Sequence, residues 1–128
     1  MGIVAVLASL AATPTAAAEP SVGQEGICKA AVAAMMGRDP KIMKIDRRDG
    51  DIVHLSYIRT DDGTRWSYRC RLEGDRVIWA SDTGRWRTDP ADEKILFSIN
   101  AKGVTITQAW TDGSKSTDTY PAKALTGK

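Results

Sequence analysis

Residues 52–72 read IVHLSYIRTDDGTRWSYRCRL. Two β-rich runs, 52–59 and 64–72, flank the turn-forming tetrad Thr60-Asp61-Asp62-Gly63, and apolar residues recur at alternate positions in both. The pattern predicts an antiparallel hairpin. If Arg59 faces Thr64, the pairs that follow are Tyr57 with Trp66, Leu55 with Tyr68 and Val53 with Cys70, all of them apolar. The register is self-consistent on that face, because a slip of one residue would turn the apolar set to the other side. The opposite face then carries Ile52, His54, Ser56 and Ile58 against Arg71, Arg69, Ser67 and Arg65, a basic surface.

Toward the C-terminus, Gly74-Asp75 suits a type II′ turn with glycine first, which sets Leu72 opposite Val77 and Cys70 opposite Trp79 on the apolar side. Ile95, Phe97 and Ile99, and then Val104, Ile106 and Trp110, repeat the period of two in two further strands. The polar run 115–120 suits an edge strand. Asp49-Gly50, Thr83-Gly84, Lys102-Gly103 and Asp112-Gly113 punctuate this half of the chain as the turns of a meander do.

On the N-terminal side of the hairpin the texture is different. Across 23–36, Cys28, Ala31, Val32 and Met35 share one helical face, with Ile27 and Ala34 beside it; Gly37 stands where a left-handed cap is wanted, and Pro40 stops the run. The helix face carries Cys28, and the sheet face carries Cys70, Trp66, Tyr68 and Trp79. A Cys28–Cys70 disulfide would join them, and in an oxidising compartment an isolated cysteine pair reads that way. The expected fold is α+β, one N-terminal helix packed on a curved antiparallel β-meander of six or seven strands with one disulfide.

The first 18 residues hold no charged side chain, and their apolar run, 2–12, is too short to cross a bilayer as a helix. It reads as the h-region of a signal peptide, and Ala16-Ala17-Ala18 supplies the small residues of a cleavage site before Glu19. Domain organisation is therefore expected to be a signal peptide, 1–18, and one α+β domain, 19–128, periplasmic or secreted and with no membrane span after cleavage. No Lys or Arg precedes the apolar run, a departure from the usual signal. A chain of 128 residues with 18 Lys+Arg against 16 Asp+Glu, net +2, lacks the basic excess of a dedicated nucleic-acid binder.

Catalytic patterns are sparse. Asp82-Thr83-Gly84 resembles the triplet of aspartic proteases, whose retroviral type comprises all-β chains of similar length contributing one triplet per subunit of a homodimer. That resemblance implies a small hydrolase using Asp82, which stands as the alternative reading. Against it, Arg85-Trp86 follows the triplet where an apolar frame is wanted, and the Gly37-Arg38-Asp39 echo of a second family element precedes it, in the wrong order. Asp-x-Gly is also ordinary turn chemistry. His54 is the only histidine, and with both cysteines assigned to a disulfide no metal or cofactor set is expected. Asp46, Asp49 and Asp51 do not match the spacing of a calcium loop.

Two features suit binding. The strip of Arg65, Arg69 and Arg71 with His54 would meet an acidic protein or another polyanion, Arg69 beside His54 being the least neutralised part of it. In the polar segment 81–92, Trp86 stands between Arg85 and Arg87, the composition of an interface hot spot, unless Trp86 turns into the core. The segments CKAAVAAMMGRDP, DDGTRWSYRC and VIWASDTGRWRTDP resemble small secreted proteins of unknown function from alphaproteobacteria. That likeness covers residue 28 to about residue 90 and implies a periplasmic setting but no activity. A similarity of architecture alone extends to periplasmic lysozyme inhibitors, whose loop motif has no convincing copy here. The function expected is a non-enzymatic periplasmic or secreted binding module with a protein or polyanionic partner, an inhibitor-like role being left open.

Overall fold

A computed structural model describes residues 22–126, so the expected signal peptide and its expected cleavage before Glu19 lie outside the described residues. Helix α1, Gln24–Met36, is followed by a 3-10 turn, Pro40–Ile42. Seven strands come next: β1 Lys44–Asp49, β2 Ile52–Ile58, β3 Arg65–Glu73, β4 Arg76–Ser81, β5 Lys94–Asn100, β6 Gly103–Ala109 and β7 Lys115–Tyr120. A short helix, α2 Ala122–Thr126, closes the described chain. The sheet keeps sequence order from β1 to β7 with every neighbouring pair antiparallel. It is the expected α+β meander, though not strongly curled.

The hairpin has the anticipated register: Val53 pairs with Cys70, Leu55 with Tyr68, Tyr57 with Trp66, and across the next turn Cys70 with Trp79 and Leu72 with Val77. Helix α1 lies on this inner face. It ends at Gly37, whose φ of 66° is the left-handed conformation that a side chain resists, and Arg38 donates its N–H back to the Ala33 carbonyl at 3.0 Å. Cys28 and Cys70, both fully buried, are joined with their Cα atoms 6.0 Å apart. Around the bond pack Val32, Val53, Leu55, Val77, Ile95, Val104 and Ile106. Gly26 through Ala33 are buried without a break, Lys29 among them, since α2 and the 3-10 turn also pack on α1.

Three aromatic or aliphatic positions expected in the core are exposed. Trp66 is 43% exposed because the hairpin tip runs past the end of α1; the Arg59 guanidinium lies 5.5 Å from its ring, and its Nε1 donates to Thr64 Oγ1. Ile99 is 56% exposed. β4 pairs with β5 only through Arg76–Leu96 and Val77–Ile95, so β4 does not reach Ile99, which has a strand neighbour only on the β6 side, at Val104. Trp110 falls past the end of β6, in the turn to β7. The inward position before it belongs to Gln108, which donates to the Ala34 carbonyl and ties β6 to the end of α1.

No helix among the described residues is long and apolar enough to cross a membrane. Replacing both cysteines by serine is expected to lower stability to urea by about 4 kcal/mol, the chain-entropy value for a loop of this length, the two being 42 residues apart. Equal denaturation midpoints for the oxidised protein and the double variant would show that the bond does not hold helix to sheet.

Candidate functional site

On the sheet face away from α1, β3 presents Arg65, Ser67, Arg69 and Arg71 beside Ile58, Ser56, His54 and Ile52 of β2. The expectation was an open basic strip. The structure instead folds the β4–β5 connection, 82–93, against part of it, and this follows from the incomplete β4–β5 pairing. Asp82 donates its N–H to the Ser67 carbonyl at 3.0 Å, and Arg87 donates its N–H to that of Trp79 at 2.9 Å. Ile78 and Ala80, which pair with Arg71 and Arg69, are fully buried although they share the outward phase of the sheet.

Trp86 docks on the two arginines. Its ring lies 4.7 Å from the Arg69 guanidinium carbon and 4.6 Å from that of Arg71, in the range of cation–π contacts. Arg69 donates from Nε to the Ser81 carbonyl at 3.2 Å and from Nη2 to the Gly84 carbonyl. Those carbonyls orient it without cancelling its charge, and among the described residues no carboxylate forms an ion pair with it. Trp86 is half-buried, and what it packs on is this face and not the helix-bearing core.

Alternation along 85–87 sends the flanking residues the other way. Arg85 grips Asp92 with two hydrogen bonds, 2.9 and 2.8 Å, and Arg87 lies 3.9 Å from the same carboxylate with its guanidinium 4.9 Å from the Trp79 ring. Asp92 is 8% exposed and also accepts the Asp89 N–H at 3.0 Å. The Arg85 hydrogen bonds, with help from the Asp89 N–H and the two guanidinium charges, outweigh burial and hold its carboxyl at a pKa of about 2. Arg85 and Arg87 therefore fasten the segment in place and do not join the Arg65–Arg71 strip.

The rest of the strip has local counter-charges. Arg65 pairs with Asp46 at 2.9 Å, His54 Nε2 lies 3.1 Å from Asp49, and Arg71 reaches Glu73 at 3.0 Å. Asp46 arrives through a β-bulge: between Ile45 and Arg47 the β1–β2 register shifts by one, leaving Asp46 without a partner strand residue and free to meet Arg65. Neither Asp46 nor Asp92 was selected from the sequence; a bulge and a reach of seven residues leave no periodic signal. Asp46, Arg47, His54, Arg65, Ser67 and Asp82 line a polar cavity of about 360 Å³ on this face. Asp82 sits at its rim where β4 ends, in the turn in which Gly84 donates its N–H to the Ser81 carbonyl.

The Arg85–Asp92 pair has a pH signature. Asp92 titrates below its unfolded value of 3.8, so it stabilises the fold above that value and the contribution is lost as pH falls through about 2. Asp92→Asn is expected to be less stable than the parent at neutral pH, with the gap closing between about pH 4 and pH 2 in urea titrations. A gap that stays constant down to pH 2 would deny the pair this role.

No family model matches the chain, and no curated protein or solved structure shows significant similarity to it.

Proposed function

We propose that this chain is a non-enzymatic binding module of the periplasm or of the secreted fraction, related to the small secreted proteins of alphaproteobacteria, and that its outer sheet face meets an acidic protein or another polyanion. One observation carries the reading: Trp86 is clamped between Arg69 and Arg71, and Arg69 has carbonyls for partners where a carboxylate would have neutralised it. Clamping removes most of the conformational cost of ordering a tryptophan and two arginines at an interface. Arg65, more than half exposed, extends the face toward β1. The disulfide and the uncharged leader support an oxidising compartment.

The hydrolase alternative rests on Asp82 of the Asp-Thr-Gly triplet, which within this chain shares a polar cavity with Asp46. Asp46 is paired there with Arg65, whereas carboxylate-dyad chemistry needs two carboxyls that share a proton in a site without such a counter-charge. A binding role uses the same geometry without that conflict.

Titration with poly-glutamate, followed by isothermal calorimetry, tests the reading. Affinity should fall steeply between 25 and 200 mM salt, since exposed charges are screened beyond ~10 Å at 0.1 M, and Trp86→Ala should weaken it by about 30-fold, the loss of a central anchor worth ~2 kcal/mol. Asp82→Asn should leave it unchanged. Salt-insensitive binding, or none, would overturn the proposal.

A further inference from the structure

The sheet runs from β1 to β7 without closing, and among the described residues no further strand covers either edge. The two edges differ in how they are protected. β1 carries a bulge at Asp46 and presents Lys44, Arg47 and Arg48, devices that keep an edge from pairing with another chain. β7 has no such protection. Its register with β6 runs unbroken from Lys115 to Tyr120, its single cation and single carboxylate, Lys115 and Asp118, cancel, and Thr117 and Thr119 are exposed residues of high strand propensity.

The β6–β7 turn fixes which backbone groups of β7 are free. Trp110 donates its N–H to the Ser114 carbonyl at 2.9 Å, so these two residues form a hydrogen-bonded pair. Such pairs alternate with non-hydrogen-bonded ones along an antiparallel ladder. Ser116, Asp118 and Tyr120 therefore turn their backbone groups to β6, and Lys115, Thr117 and Thr119 turn theirs outward. An antiparallel copy must match outward residues to outward residues, which leaves few registers. Centring on Asp118 would oppose two carboxylates, and centring on Ser116 would set Thr119 against the turn at Gly113. Centring on Thr117 sets Thr117 against its own counterpart, Lys115 against Thr119 and Ser116 against Asp118.

We infer that β7 is the docking edge for a second copy of this chain, paired antiparallel about Thr117 so that one sheet runs through both copies. Two side-chain observations support the register. Asp118 forms no ion pair or side-chain hydrogen bond among the described residues, and the Ser116 hydroxyl accepts from Gln108 Nε2 at 3.5 Å but donates to no group. The two-fold arrangement sets a Ser116 hydroxyl against an Asp118 carboxylate twice. Trp110, 40% exposed, stands in a row with Ser114, and the same register adds the second copy's Tyr120 to that row. Two strand spacings, about 10 Å, separate the two aromatic residues across a small serine, a distance their side chains can span. The edge lies across the sheet from the Arg69–Trp86 face, and neither reading depends on the other.

Sedimentation equilibrium of the purified protein tests this directly. One strand edge with an aromatic flank is a small interface, so the average mass should climb from monomer toward dimer between about 10 μM and about 1 mM chain. Thr117→Pro removes an N–H that points away from β6, a place where an edge strand tolerates proline, so this variant should stay monomeric with an unchanged circular dichroism spectrum. Amide exchange in the parent protein gives a reading that needs no variant. Protection at Thr117 and Thr119 should rise with concentration, while that at Ser116 and Asp118, already bonded to β6, should not. A parent chain that is monomeric at about 1 mM, where even weak specific pairs associate, would overturn the inference and leave the edge to a different partner. Undiminished dimerisation of a folded Thr117→Pro variant, or exchange at Thr117 and Thr119 that ignores concentration, would overturn it as well.

Discussion

Pairing Val53 with Cys70 decides which side chains of the sheet face the helix and which face outward. Side chains in a strand alternate, so that one pairing puts Leu55, Tyr57, Tyr68 and Trp79 on the face that must be covered, and His54, Arg65, Arg69 and Arg71 on the other. Cys70 then stands where a helix can reach it, and Cys28 of α1 takes up that position with a covalent bond. A domain this small gains little margin from its apolar core alone, which makes a fixed link between its helix and its sheet energetically consequential. The outer face inherits its chemistry from the same alternation.

What could be read from the chain follows the range of the interactions involved. The hairpin, its register, the end of α1 at Gly37 and the cysteine pairing were legible, because each is written in periodicity or in a turn residue a few positions away. Trp66, Ile99 and Trp110 have the right phase for burial but lie beyond what α1 or β4 covers, and phase does not report how far a covering element extends. The segment 82–93 has no period. Its place is fixed by Arg69 reaching two carbonyls, by Trp86 lying on two arginines and by Arg85 closing on Asp92. The composition of the candidate site was therefore visible, with Trp86 among arginines, while its partition was not: Arg85 and Arg87 anchor the segment, and only Trp86 joins Arg69 and Arg71. A cavity lined by Gly26, Ile42 and Leu125, where the start of α1 meets the 3-10 turn and α2, was not legible, since these residues meet only in the folded chain.

The arginines of the outer face and of the segment beside it differ in what holds them. Arg65 and Arg71 meet exposed carboxylates or are themselves exposed, and pairs of that kind add little net stability, whereas Arg85 closes on the buried carboxylate of Asp92. Arg69 is oriented by carbonyls and stacked under an indole, which fixes its position while leaving most of its charge available.

The Arg69–Trp86–Arg71 stack is the feature on which this account of the outer face turns, and proton NMR reads it directly. The side-chain methylene protons of Arg69 and Arg71 should be displaced upfield by the Trp86 ring current and return to ordinary arginine positions in Trp86→Leu. Ordinary arginine shifts in the parent protein, unaltered by that substitution, would contradict the stack and the binding face built on it.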